Sequence, residues 1–168
     1  MTVKDQITSR RESTASAARR FDQVGLEVLA DSECLRLIAS VPVGRLVFTR
    51  GGLPAVRLVN FFVDENTLVF ATADGEKYRA AERGDVVAFE VDDFDPERHL
   101  GWTVTALGHL SVVDPDEARA ARRTLPLRPW APAADRYLIR LGIESLEGRR
   151  LLPWGQRPHS VTVADDDD

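Results

Sequence analysis

The apolar positions of the chain switch between helical and strand-like periods, and those changes mark its elements. Between Asp31 and Ser40, Leu35 and Ile38 fall on one side of a 3.6-residue repeat, which predicts a short helix. Asp31 or Ser32 is placed to cap it, and Pro42 ends it. From Gly44 the pattern becomes strand-like. Gly44 to Arg50, Ala55 to Val63 and Thr67 to Thr72 are runs rich in Val, Phe and Leu. The turn signals Gly51-Gly52 and Asp64-Glu65-Asn66 separate them, which is the spacing of an antiparallel meander. Gly75 to Arg83 then reads as a helix of about two turns closed by Gly84.

Asp85 to Val91 is a fourth strand, Asp92 to Leu100 a polar loop around Pro96, and Trp102 to Val113 a long fifth strand. Asp114, Pro115 and Glu117 form a helix start whose helix runs to about Thr124. The three prolines between Leu125 and Ala134 exclude regular structure there, and Tyr137 to Leu152 supplies the last strand, bent at Gly142 or Gly148. These strands are spaced for hairpins, not for crossover helices. The expected fold is mainly β: a six-stranded antiparallel barrel with short helices, closed because closure removes exposed edges. The expected organisation is a flexible or helical extension over residues 1–25, a barrel over 26–153 and a disordered acidic tail over 154–168.

Composition narrows the function classes. The chain has 168 residues and a net charge of -5, of which Asp165 to Asp168 supply four negative charges. The rest is almost neutral, so the basic face expected of a nucleic-acid-binding barrel is missing. No apolar run reaches the roughly 20 residues of a membrane span, and Met1 to Arg20 lacks the apolar centre of a secretory signal. Cys34 is the single cysteine, which fits a reducing cytoplasm and a buried apolar filler. His99, His109 and His159 have no metal-ligand spacing, so no metal is expected.

The candidate chemistry lies at Thr72-Ala73-Asp74-Gly75-Glu76-Lys77, where a strand ends and a helix begins. A helix N-terminus offers unpaired N–H groups and a dipole that favours anions, Thr72 adds a hydroxyl and Lys77 a full charge. Arg57, on the neighbouring strand, adds a fork suited to phosphate oxygens. The competing reading is a surface helix with a solvated lysine, and Asp74 and Glu76 speak for it.

Several segments resemble one family in order and spacing. They are Gly44-Arg-Leu-Val-Phe, Leu53-Pro-Ala-Val-Arg-Leu-Val-Asn-Phe, Leu68-Val-Phe-Ala-Thr with Gly75-Glu-Lys77, and Asp85-Val-Val-Ala-Phe-Glu-Val-Asp-Asp. Gly101-Trp-Thr-Val and Leu127-Arg-Pro-Trp130 continue the series. From about Glu27 to Leu152 the chain resembles the pyridoxamine 5'-phosphate oxidase-like family of the FMN-binding split barrels, in its nitroimidazole-reductase-like branch.

The resemblance implies a homodimer with FMN at the interface. Arg57, Leu58, Val59 and Asn60 would run along the flavin and its phosphoribityl arm. Thr72 and Lys77 would hold the phosphate, Ala71 is a further cofactor-binding position beside them, and Trp102 would meet the cofactor from the fifth strand. From the residues alone, a barrel tryptophan such as Trp102 is more often a core residue than a cofactor contact. Trp130 would cover the partner's flavin or pack on the barrel, and Arg149 or Arg150 would cross the interface or stay solvated. The family carries basic and hydroxyl residues just before the lysine, where this chain has Gly75 and Glu76. The implied function is that of a flavin-dependent oxidoreductase moving a hydride to or from a small planar substrate. The alternatives on the same fold are a non-catalytic flavin- or haem-binding protein and a deazaflavin-dependent reductase, with FAD as a further cofactor choice.

Overall fold

The computed structural model describes residues 19–73, 75–124 and 137–157. In chain order the elements are β1 (Arg20–Phe21), β2 (Glu27–Val28), α1 (Asp31–Ile38), β3 (Val43–Arg50), β4 (Leu53–Asp64) and β5 (Thr67–Thr72). There follow α2 (Glu76–Arg83), β6 (Val86–Asp95), β7 (Leu100–Val112), α3 (Pro115–Thr124) and β8 (Tyr137–Leu151).

The strand order β8-β5-β4-β3-β6-β7 closes on itself through β7 and β8, all antiparallel. The expected six-strand ring is therefore present, but the sheet has eight strands, not six, because the two-residue β1 and β2 extend it beyond β8. The part of the 1–25 segment that is described is thus neither helical nor detached. Asp22 bonds to Arg149 (3.0 Å) and Glu27 to Arg150 (3.3 Å), which ties it to β8. Arg150 also bonds Glu33 of α1 at 2.5 Å. Hydrogen bonds from Arg36 and then Arg150 hold the Glu33 carboxyl down at about 2. Arg149 and Arg150, partly exposed, thus fasten the N-terminal segment within the chain.

Two other sequence expectations shift, and a third is located. The N-cap of α1 is Ala30, with no side-chain cap, and Asp31 lies inside the first turn. The polar stretch 92–100 is mostly ladder: β6 continues to Asp95, β7 resumes at Leu100, and His99 (φ 51°) turns the hairpin. The irregularity in β8 falls just past Gly142, where the register with β7 slips between Leu107 and Gly108 so that Glu144 has no opposite residue. The caps of the other helices are as expected. Gly84 closes α2 at φ 67°, and the Asp114 carboxylate accepts from the Asp116 N–H at 2.8 Å.

The barrel interior holds the main core, in which Phe89 meets Phe61 edge-on at 4.8 Å and tilts against Phe70 at 5.5 Å. Cys34, on the inner face of α1, is fully buried in it, and burial raises its thiol pKa. A second, smaller core of Val69, Ala71, Val113 and Leu138 lies on the outer side of β5 and β8 under Ala118 and Ala121 of α3.

Candidate functional site

One break in the ring defines the site. β4 pairs with the whole length of β3, from Leu53↔Arg50 to Asn60↔Val43. It pairs with β5 only from Phe61↔Phe70 to Asp64↔Thr67. Continuing that register would set Asn60 opposite Ala71 and Val59 opposite Thr72, but the ladder stops at Phe61. β5 stays bonded to β8 on its other side up to Thr72↔Tyr137, so β4 and β5 part at this end of the barrel. Residues 53–60 thus have one edge without a partner strand among the described residues.

The chain leaves the split at Ala73 and enters α2. The helix begins at Gly75 with no side-chain cap, so the first N–H groups of α2 keep their anion-binding capacity. Tyr78 of α2 stacks on Tyr137 of β8 with ring centroids 4.3 Å apart, which anchors the helix beside the end of β5.

Among the described residues, the side chains at this corner form an excess of positive charge in a half-buried setting. Lys77 is half-buried, and no hydrogen bond or ion pair to its ammonium occurs among the described residues. Burial, and then the nearby Arg57 guanidinium, lower its pKa, while Glu76 opposes the shift. Arg57 donates to the Val56 carbonyl at 2.9 Å and to Glu76 Oε2 at 3.2 Å. Glu76 Oε1 accepts from Arg50 at 3.2 Å. Glu76 therefore stands between two guanidinium groups and does not face Lys77 as a bonded partner. The Thr72 hydroxyl is buried and donates to the Ala73 carbonyl at 3.1 Å. Asp74 lies outside the described residues.

The eight sequence candidates do not all converge. Arg57, Thr72 and Lys77 gather at the split. Leu58 points outward, Val59 points into the main core, and Ala71 packs its methyl under α3, so only their backbone is available to a ligand lying in the split. Asn60 is half-buried at the point where the strands part. Trp102 is elsewhere. It pairs with Arg150 at the far end of β8 from Tyr137, packs on the main core and lines a separate cleft of about 350 Å³ with Phe94 and Leu151. Within one chain it does not reach the split. Trp130 lies outside the described residues. Sequence reasoning missed Glu76 as the shared partner of Arg50 and Arg57, because the three are 19 and 26 residues apart and only the fold joins them.

A second cavity adjoins the corner. A cleft of about 630 Å³ runs between the β3–β4 turn and the outer face of α2, where Glu76, Arg79 and Arg83 recur at helical spacing. No group of three or more potential metal ligands occurs among the described residues.

A family model described as pyridoxamine 5'-phosphate oxidase matches residues 30–150. The chain belongs to the pyridoxamine 5'-phosphate oxidase family. It is 36% identical over 155 residues to the uncharacterized protein Rv0080 of Mycobacterium tuberculosis, covering 89% of this chain and 97% of that protein. Among solved structures it is similar to the FAD binding protein of Mycobacterium smegmatis, with 34% identity, a TM-score of 0.62, and 74% and 97% of the two chains covered. The FAD and heme binding protein of the same organism shares the fold at 18% identity, with a TM-score of 0.59 over 78% and 75% of the chains. Among the described residues, no helix of this family member is long and apolar enough to cross a membrane.

Proposed function

We propose that the protein binds a flavin phosphate in the split between β4 and β5 and acts as a flavin-dependent oxidoreductase on a small planar substrate. The observation that carries the reading is the half-buried Lys77 beside Arg57, at an uncapped helix N-terminus, in a member of this family. A desolvated ammonium next to a second cation is unfavourable alone and is relieved by a bound dianion. The residues fit a phosphate: Lys77 gives a point charge, Arg57 a fork, Thr72 a hydroxyl, and α2 its N–H groups.

Glu76 does not defeat the fit. Its side chain and those of Arg57 and Arg50 are each more than a third exposed, so these ion pairs are weak and can yield to a ligand. Glu76→Gln removes the competing carboxylate. It is expected to tighten flavin binding about three- to tenfold in a fluorescence titration, about 0.7–1.4 kcal/mol. Weaker binding in that variant would mean that Glu76 orients Arg57 instead.

FMN is the smallest flavin cofactor that brings a phosphate to the corner, and the unpaired edge of residues 53–60 can take the ring's polar rim. Bound flavin supplies the hydride chemistry. The chain's own part is to hold the phosphate at Lys77, Arg57 and Thr72 and to line the ring with the backbone of Leu58 and Val59 and with Asn60. No side-chain acid–base pair is required of it.

A homodimer completes the proposal. On the outer face Val56, Val47, Ala88 and Leu107 lie side by side across β4, β3, β6 and β7, and Leu58 stands exposed beside them. Such a row is suited to covering by a second copy, which would let a distant Trp102 approach the partner's split. The barrel, residues 26–153, is the cofactor-binding unit, and the cytoplasm is the proposed location.

The test is the visible spectrum of the purified protein, followed by turnover with NAD(P)H and a nitroaromatic or quinone. A flavin spectrum with turnover is the expected result. Bound flavin without turnover would make it a binding module, a Soret band would make it a haem protein, and no chromophore and no uptake would overturn the proposal.

A further inference from the structure

We infer that the cleft at the β6–β7 hairpin binds a small aromatic amine, its ring held by Phe94 and Trp102 and its ammonium by Asp93. The site lies away from the split and does not depend on the flavin reading. Its walls are the ends of β6 and β8 and the start of β7, and its volume is about 350 Å³. That is the small end of the range of small-molecule sites, about 300–1,000 Å³, so it suits a ligand of one or two rings. Asp93, Trp102 and Arg150 stand directly opposite one another across the three strands. Side chains paired in this way are neighbours on one face of the sheet. A cation bonded to the Asp93 carboxylate therefore also lies beside the Trp102 indole, the side chain whose ring attracts cations most strongly.

The polar groups of the cleft select the sign of the ligand's charge. Arg150 is the one cation of the lining, and Glu27 and Glu33 already hold its two terminal nitrogens. Asp95 is engaged by the Arg98 guanidinium and by the backbone N–H groups of Glu97 and Arg98. Asp93 is exposed and has no hydrogen-bond or ion-pair partner among the described residues. The carboxylate left free is thus the one that a ligand meets, and it excludes an anion. The apolar groups select the body of the ligand. Phe94 is 51% exposed and stacks on no other ring among the described residues. Its ring lies across Gly101, where an added methyl would stand 2.2 Å from Phe94 Cδ1 and 2.6 Å from the Asp93 carbonyl oxygen. The absent side chain lets the ring rest on β7, and with Leu100 and Leu151 it gives the cleft an apolar wall. An aromatic fixed in this way offers a stacking surface at little cost in ordering.

The experiment follows the Trp102 indole N–H in proton–nitrogen NMR spectra, assigned by its loss in Trp102→Phe, while a probe is added to the full chain. The probes are 2-phenylethylamine, 3-phenylpropionate and 2-phenylethanol, which share a ring and differ in charge. The amine is expected to move the signal saturably and to bind at least about tenfold more tightly than the carboxylate. Asp93→Asn is expected to weaken the amine about three- to tenfold and to leave the alcohol as it was. Phe94→Ala is expected to weaken both about three- to tenfold. Circular dichroism confirms that these exposed-site variants are folded. The amine's advantage over the alcohol should shrink in high salt, because Asp93 is exposed. No saturable shift with the amine, equal binding of amine and carboxylate, or an amine affinity unchanged in Asp93→Asn overturns the inference. A protein that binds the amine in this way but takes up no flavin would lose the flavin reading and keep this site.

Discussion

Lys77→Ala is expected to weaken flavin binding about ten- to a hundredfold, the loss of one charge-assisted contact of roughly 1.5–3 kcal/mol. The direction follows from two opposed effects of the same burial. In the free protein the ammonium is half-buried beside Arg57, and both conditions work against its charge. Removing it therefore costs the unliganded fold little and relieves some repulsion. In the complex the same burial strengthens its attraction to a phosphate, because less water screens the pair. The mutation should act on affinity and hardly at all on thermal stability. Lys77→Arg should recover part of the affinity, since charge is kept while the point geometry is lost. Titrations of the two variants with FMN and FAD check this. An unchanged dissociation constant in Lys77→Ala would take Lys77 out of the site.

What the sequence made legible is what local chemistry decides. The hairpin at Gly51-Gly52 and the end of α2 at Gly84 were readable because only glycine adopts their positive φ without strain. The start of α3 was readable because Asp114, Pro115 and Glu117 are a complete signal. What escaped depends on distant partners. β1 and β2 are two residues each and have no period to read; ion pairs from Asp22 and Glu27 to β8 hold them in place. Asp92 to Asp95 look like loop because they are polar, yet they sit in a hairpin ladder, and Asp92 turns outward to pair with Arg45. The candidate site was legible as a strand-to-helix corner. The parting of β4 from β5 was not, because it depends on where a ladder stops.

Gly44→Ala is expected to destabilise the fold by about 2–3 kcal/mol and to weaken flavin binding with it. Gly44 opens the first strand of the motif series and sits opposite Val59 in the β3–β4 ladder. A methyl placed there would stand 2.3 Å from the tip of the Phe89 ring and 2.8 Å from the Glu90 carbonyl oxygen. The carbonyl belongs to β6, which is bonded to β3 through Arg45↔Glu90, so it cannot retreat without breaking that ladder. The ring cannot retreat either, since Phe61 and Phe70 lie against it. Those two phenylalanines are the last cross-strand pair before β4 and β5 separate. Pressure from Gly44 is thus delivered to the hinge of the split, one residue from Asn60 and one from Ala71. The control is Gly142→Ala, also in a strand, where a methyl would meet nothing within 4 Å. It should stay within about 0.5 kcal/mol of the wild type. Denaturant melts should place Gly44→Ala about 5–10 °C-equivalent below the wild type in thermal terms, and flavin titration of the folded fraction should show the loss in affinity. If Gly44→Ala melted with the wild type, the close packing of Phe89 on β3 would not be what sets the shape of the split.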